Sequence, residues 1–160
     1  MDVEELYRRY AAGERDFPGV DLSHADLNVA DVEDLEDLQP GQNELSGINL
    51  SGANLTRANL SCVNLSGANL SSANLDSATL WGTILTGANL SDAILDYAEL
   101  ASDLVDVDLR EASLECTQLI GTNLTRANLM GSYFAATGEG RLIFCNTIMP
   151  DGTIRNDNSS

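Results

Sequence analysis

From Leu45 to Leu100 a leucine stands at every fifth position, twelve in succession, and this period excludes most of what a chain can fold into. On an α-helix five residues advance by about 140°, so leucines at this spacing would scatter round the cylinder and leave no buried stripe. In a flat strand the odd spacing alternates faces, which only a doubly covered sheet would accept, and the intervening Asn, Ser and Gly are poor strand formers. What remains is a chain that turns a corner once per five residues. Each centre leucine and the small residue two places before it (Ala53, Ala58, Ala68, Ala73, Ala78, Ala88, Ala93, Ala98) then point inward, while the other three positions face water. Such a chain is a solenoid: no coil buries its own leucines, each worth roughly 1.5–3 kcal/mol on full burial, and stability resides in the stack.

Asparagine precedes many of the leucines (Asn49, Asn54, Asn59, Asn64, Asn69, Asn74, Asn89), so the unit reads A-N-L-S-G, with A-N-L-T-R, A-N-L-S-C and A-N-L-S-S as variants. In this it resembles the pentapeptide-repeat family. The resemblance implies an all-β fold, a right-handed quadrilateral β-helix with four pentapeptides per coil, the coils stacking at the ~4.8 Å spacing of paired strands. The residues alone establish the period of five and the inside–outside pattern; agreement at a lag of twenty (Gly47, Gly67, Gly87; Ser51, Ser71, Ser91) accords with four per coil without establishing it.

At 160 residues and 43 % apolar the chain reads as one domain over residues 1–155, its core a long thin column. Residues 2–12 form a short amphipathic capping α-helix, with Val3, Leu6, Tyr7 and Tyr10 at i, i+3, i+4 and i+7, Asp2 as N-cap, Glu5 three places on and Gly13 as the stop. Its place is over the N-terminal coil, whose open end would expose leucines and strand edges. Repeat centres begin at Phe17, Leu22, Leu27 and Val32, and the register then breaks over residues 33–44, since thirteen residues separate Val32 from Leu45. This stretch, E-D-L-E-D-L-Q-P-G-Q-N-E, reads as an acidic loop bulging from one corner, with Leu35 and Leu38 folding back on the stack. After Leu100 the next centre is Leu104, one residue early; the frame resumes through Leu109, Leu114, Leu119, Leu124, Leu129 and Phe134, falters at residues 138–141 and returns at Phe144 and Met149. Residues 5–17 and 144–152 resemble the end segments of cyanobacterial-type members, which implies caps, the C-terminal one over residues 142–155. Pro150-Asp151-Gly152 is a turn, and residues 156–160 are expected to be a disordered tail.

With four pentads per coil, residues twenty apart share an outward column, and most such positions hold Ser, Thr, Asn or Gly. Two departures mark candidate partner contacts. Trp81, Ile84, Ile94 and Tyr97 are apolar at outward positions of one coil, Trp81 stacking near Ala101 and then Ile120. Asp92, Asp96, Glu99, Asp103, Asp106, Asp108, Glu111 and Glu115 form an acidic belt, in which Asp76, Asp96 and Glu115 make one ladder of like charges that invites a cation or a basic partner. Glu33, Asp34, Glu36 and Asp37 of the acidic loop are further contact candidates.

The chain carries a net charge of −17, with eight arginines and no lysine, a surface that repels nucleic acid and anionic membrane. No apolar run is long enough to span a bilayer and the acidic N-terminus lacks a signal-peptide layout, so a cytoplasmic protein is expected. Cys62, Cys116 and Cys145 are odd in number and widely spaced, which implies reduced thiols rather than a disulfide framework or zinc site. His24 is the single histidine, and neither a P-loop nor a dinucleotide fingerprint occurs, so no catalysis and no cofactor are expected. Calcium is the alternative for the acidic ladder, although the EF-hand spacing is missing. Some pentapeptide-repeat proteins mimic duplex DNA and bind type II topoisomerases, which the resemblance makes a second alternative. Charge placement weighs against it: residues 1–45 carry thirteen acids and three arginines, residues 46–100 four and one, and residues 101–160 eight and four. Three coils rise about 14 Å, over which duplex DNA carries about eight charges. The central rod is therefore too neutral for a good mimic. The preferred reading is a non-enzymatic interaction or scaffold module, monomeric rather than dimeric, for a protein partner with a basic surface.

Overall fold

The computed structural model describes residues 1–28, 43–137 and 142–156, which form one short helix followed by a stack of coils joined by parallel pairing. Helix α1 (Val3–Ala11) starts where Asp2 accepts the Glu5 N–H at 2.8 Å and stops before Gly13, at φ +97°. Its Leu6 and Tyr10 are buried, and Val3 and Tyr7 pack against the same core. Two phenols anchor it: Tyr7 donates to Leu27 O and Tyr10 to Ser46 O, both at 2.8 Å.

Pairing fixes the size of a coil. Asn49 bridges Asn69, Asn54 bridges Asn74, Asn59 bridges Thr79 and Asn64 bridges Ile84, each offset by twenty residues, or four pentads. Four faces result, called A to D here: Glu44, Asn64 and Ile84 on A; Asp16, Asn49 and Asn69 on B; Asp21, Asn54 and Asn74 on C; Asp26, Asn59 and Thr79 on D. Along each pentad the centre leucine and the residue two before it are buried, as the period requires, and from Leu45 to Leu100 every centre is at most 1 % exposed. Corner bonds such as Ala53 N–H to Leu50 O, 3.0 Å, turn the chain, and rungs such as Leu50 N–H to Asn69 O, 2.8 Å, join coils. Most faces are too short for more than a single bridge. Longer strands appear where corners flatten: β1 (Thr79–Ile84), β2 (Glu99–Asp103), β3 (Ser113–Leu119) and β4 (Tyr133–Thr137) form a four-stranded parallel sheet in chain order.

The first coil corrects the sequence reading. Its pairings to the second run at thirty-three residues (Asp16 to Asn49, Asp21 to Asn54, Asp26 to Asn59), thirteen more than a four-pentad coil, until Glu44 meets Asn64 at twenty. The fourth centre is therefore Leu45, whose N–H donates to Asn64 O at 2.9 Å, and not Val32. Val32, Leu35 and Leu38 lie outside the described residues. The insertion sits inside the coil, between faces D and A, and Asn43 and Glu44, assigned above to the loop, already belong to the stack. Asn43 Nδ2 donates to Asn28 Oδ1 at 2.7 Å and ties the two ends of the insertion together.

At the other end β5 (Thr147–Ile148) and β6 (Ile154–Arg155) pair antiparallel about the predicted turn, where Asp151 Oδ1 accepts from Thr153 N at 2.9 Å. The Arg155 guanidinium lies 4.0 Å from the centroid of the buried Phe144 ring. Of the expected tail, residues 157–160 lie outside the described residues.

Candidate interaction surface

The predicted acidic ladder is present at the corner between faces C and D. Ser77 N–H donates to Asp96 O at 2.8 Å and Tyr97 N–H to Glu115 O at 2.9 Å, which sets Asp76, Asp96 and Glu115 one coil apart. Asp96 Oδ1 accepts from Ser113 Oγ (2.6 Å) and from Glu115 N (3.0 Å), and Asp76 Oδ2 from Ser77 Oγ (3.2 Å). Neutral donors, not cations, hold these carboxylates. Beside them Tyr97 projects from the corner at φ +59°, a left-handed conformation that costs an ordinary side chain about 1 kcal/mol, and it is 57 % exposed. The stacked Cys116, then Glu115, then partial burial, Asp96 and Asp76 raise its phenol above the usual range.

Trp81 stands at the corner between faces D and A, and Ile84 on face A just beyond it. Trp81 pairs with Ala101 and is 52 % exposed, and Ile120 N–H donates to Leu100 O at 3.0 Å, which continues the predicted column. Ile84 lies between Asn64 and Asp103, and Ile94 between Asn74 and Ser113, both exposed. The four apolar candidates thus form two ridges, Trp81 with Ile84 and Ile94 with Tyr97. Between them runs face D, with Thr79, Glu99 and Gln118.

The belt is less uniform than its sequence. Arg126 bonds Asp106 (Nε to Oδ1, 2.6 Å) and Arg110 bonds Asp108 (Nη2 to Oδ2, 2.6 Å), and both carboxyls are held below the usual range chiefly by those guanidinium hydrogen bonds. The other two ion pairs among the described residues are on the N-terminal segment, Arg8 with Glu5 and Arg9 with Glu14. Asp96, Glu99, Asp103, Glu111 and Glu115 consequently have no arginine partner among the described residues, and Asp92 lies only within the field of Arg110. Nor do three His, Cys, Asp or Glu side chains converge there as a metal site would need. Cys62, Cys116 and Cys145 are free and exposed, and His24 is exposed at a corner. Glu33, Asp34, Glu36 and Asp37 lie outside the described residues.

One arrangement escaped the sequence reading. Each face of the first coil carries an acid where the second coil carries asparagine: Asp16, Asp21, Asp26 and Glu44. On face B, Asn89 Nδ2 donates to Asn69 Oδ1, Asn69 Nδ2 to Asn49 Oδ1 (3.2 Å) and Asn49 Nδ2 to Asp16 Oδ1 (3.1 Å). Asn59 ends likewise on Asp26 (2.9 Å) and Asn64 on Glu44 (2.8 Å). A ladder whose amides all donate toward the N-terminus needs a pure acceptor at its foot, which a carboxylate supplies. Burial works to raise the Glu44 carboxyl and is outweighed by bonds from Ser46 and Asn64, which leave it below the usual range. Burial, then Glu44 and Asp26, push the Tyr7 phenol up. The signal was in the sequence, as an acid at the second place, the asparagine position, of an otherwise A-N-L-like unit.

Residues 44–71, 73–101 and 102–135 match the family model for pentapeptide repeats, in eight copies. The chain belongs to the pentapeptide-repeat family. Among solved structures it is similar to alr5209, a pentapeptide repeat protein from Nostoc PCC 7120, at 33 % identity over 73 % of this chain and 80 % of that one, with a TM-score of 0.38. It is also similar to HetL, a pentapeptide repeat protein involved in heterocyst differentiation regulation in the cyanobacterium Nostoc sp. strain PCC 7120, at 25 % identity over 97 % and 100 % of the two chains, TM-score 0.27. A third is QnrB1, a plasmid-mediated fluoroquinolone resistance protein, at 17 % identity over 79 % and 83 %, TM-score 0.35. No curated protein sequence matches the chain. Family membership rests on the repeat match. No helix among the described residues is long and apolar enough to cross a membrane.

Proposed function

We propose that this pentapeptide-repeat protein is a non-enzymatic interaction module, a right-handed quadrilateral β-helix that presents the coil carrying Trp81, Ile84, Ile94 and Tyr97 to a protein partner with a basic surface. One observation carries the reading: four large apolar side chains, each more than 40 % exposed, interrupt columns of Asn, Ser and Thr, beside carboxylates without arginine partners. Apolar anchors within a charged rim are what a protein interface uses, whereas a surface meant only for solvation has no need of them. Residues 1–155 act as one unit, with the helix and the terminal hairpin as end caps, and the acidic surface keeps the module monomeric in the cytoplasm. Mimicry of DNA is the weaker reading, because two acids near the Trp81 coil, Asp106 and Asp108, are neutralised by arginine and the central rod stays nearly uncharged.

The test is capture from a lysate of the source organism, wild type beside a Trp81→Ser/Tyr97→Ser variant of unchanged melting temperature. A partner held by the wild type, released by salt and lost in the variant supports the module. Retention by the variant overturns this placement, and turnover of any substrate overturns the reading as a whole.

A further inference from the structure

The early return at Leu104 leaves a physical trace. At the corner between faces D and A the third coil reads Trp81-Gly82-Thr83-Ile84 and the fifth reads Ile120-Gly121-Thr122-Asn123, but the fourth reads only Ala101-Ser102-Asp103. Pairing shows which residue is gone: Trp81 still meets Ala101 at twenty, and Ile84 meets Asp103 at nineteen. Missing is the corner residue that elsewhere projects outward at positive φ, and its neighbours above and below, Gly82 and Gly121, have no side chains to fill the space. A notch of about 430 Å³ is cut across three coils. The hydroxyl protons of its floor are already used, since the buried Thr83 and Ser102 hydroxyls donate to Leu60 O and Leu80 O. Ile84 and Ile120 form apolar walls, and Asp103, with no arginine partner among the described residues, supplies the single charge.

We propose that this notch receives an arginine side chain of the partner protein, its aliphatic stem on Ile84 and Ile120, its guanidinium on Asp103, with an adjoining apolar residue against Trp81. The inference rests on the interaction-module reading and specifies its contact. Arginine fits better than lysine because the planar fork matches a carboxylate and is less strongly hydrated. A second copy of this chain is disfavoured as occupant by a net charge of −17, as is nucleic acid.

Trp81 is the only tryptophan and pairs with Ala101 of the notch wall, so its emission reports on the notch from its edge. The full chain is titrated with three capped, labelled nonapeptides that alternate leucine with arginine, with lysine or with glutamate, and peptide anisotropy is followed alongside emission. The arginine peptide is expected to saturate, to bind Asp103→Asn roughly tenfold more weakly, and to lose binding to Ala101→Phe. That second variant fills the notch from a column already holding Trp81 and Ile120, so folding should persist. The lysine peptide should bind several-fold more weakly and the glutamate peptide not at all. No saturation, equal binding to all three proteins, or binding of the glutamate peptide would overturn the proposal. Capture of the cellular partner separates the two readings: a partner kept by Ala101→Phe but lost in Trp81→Ser/Tyr97→Ser overturns the notch and leaves the module standing.

Discussion

Within a pentad, each position answers to a different physical demand. The centre leucine faces a column with no alternative packing partner, so Leu75→Ala, in the middle of the stack and fully buried, should cost about 2–5 kcal/mol in urea unfolding. A loss under about 1 kcal/mol would mean that the coils collapse around the void. Glu44 answers to hydrogen bonding: Oε1 accepts from Ser46 N and Oε2 from Asn64 Nδ2, at 2.9 and 2.8 Å. Gln offers one oxygen for those two donors, so Glu44→Gln should lower stability by about 1 kcal/mol, read from the same melts. Acid acts on the same class of residue. Hydrogen bonds hold Asp21, Asp106, Asp108 and Asp151 below the usual carboxylate range, from Ser23, Arg126, Arg110 and Thr153 respectively. Such groups bind protons more readily when unfolded, so their contribution is complete above about pH 4 and is lost as pH falls through the lower folded values. An Asp106→Asn/Asp108→Asn variant should therefore differ from wild type in melting temperature at pH 7 and converge on it near pH 2–3. Comparison of the two proteins cancels the relief of net charge common to both.

Elements of this molecule couple only to their neighbours, and that sets how far a perturbation travels. Helix α1 meets the first coil through Leu6, Tyr7 and Tyr10, so Leu6→Asp should detach it. In hydrogen exchange the amides of Phe17, Leu22 and Leu27 should then lose protection while those of Leu75 and Leu95 keep theirs. Uniform loss along the stack would show that the solenoid unfolds as one cooperative body. The notch makes the opposite prediction, of tolerance. A glycine inserted between Ala101 and Ser102 restores the twenty-residue coil with the residue type found at Gly82 and Gly121, and the melting temperature should hold or rise.

Across the whole molecule, charge is the dominant long-range term. Twenty-five acids face eight arginines, and the four ion pairs among the described residues leave most carboxylates unneutralised. Self-repulsion of this size is screened within about 10 Å at 0.1 M salt. Raising sodium chloride from 10 mM to 0.5 M should therefore increase the melting temperature, as calorimetry can check, while weakening any basic partner. A melting temperature that falls with salt would show that the ion pairs outweigh the repulsion.

The sequence by itself determined the solenoid, because a five-residue period admits no helix and no flat sheet, and it determined which side chains face inward at nearly every centre. It also flagged both irregularities along the chain, the register break that it set between Val32 and Leu45 and the short step after Leu100. Tertiary structure alone decided what those irregularities mean. Pairing across coils makes Leu45 the fourth centre of the first coil, since register is set by hydrogen bonds to the next coil and not by local spacing. It also turns a one-residue deletion into a notch, because residues about twenty apart, invisible to one another in the sequence, become stacked neighbours. The same stacking divides the acidic belt, pairing Asp106 with Arg126, and shows why the first coil ends its asparagine ladders in acids.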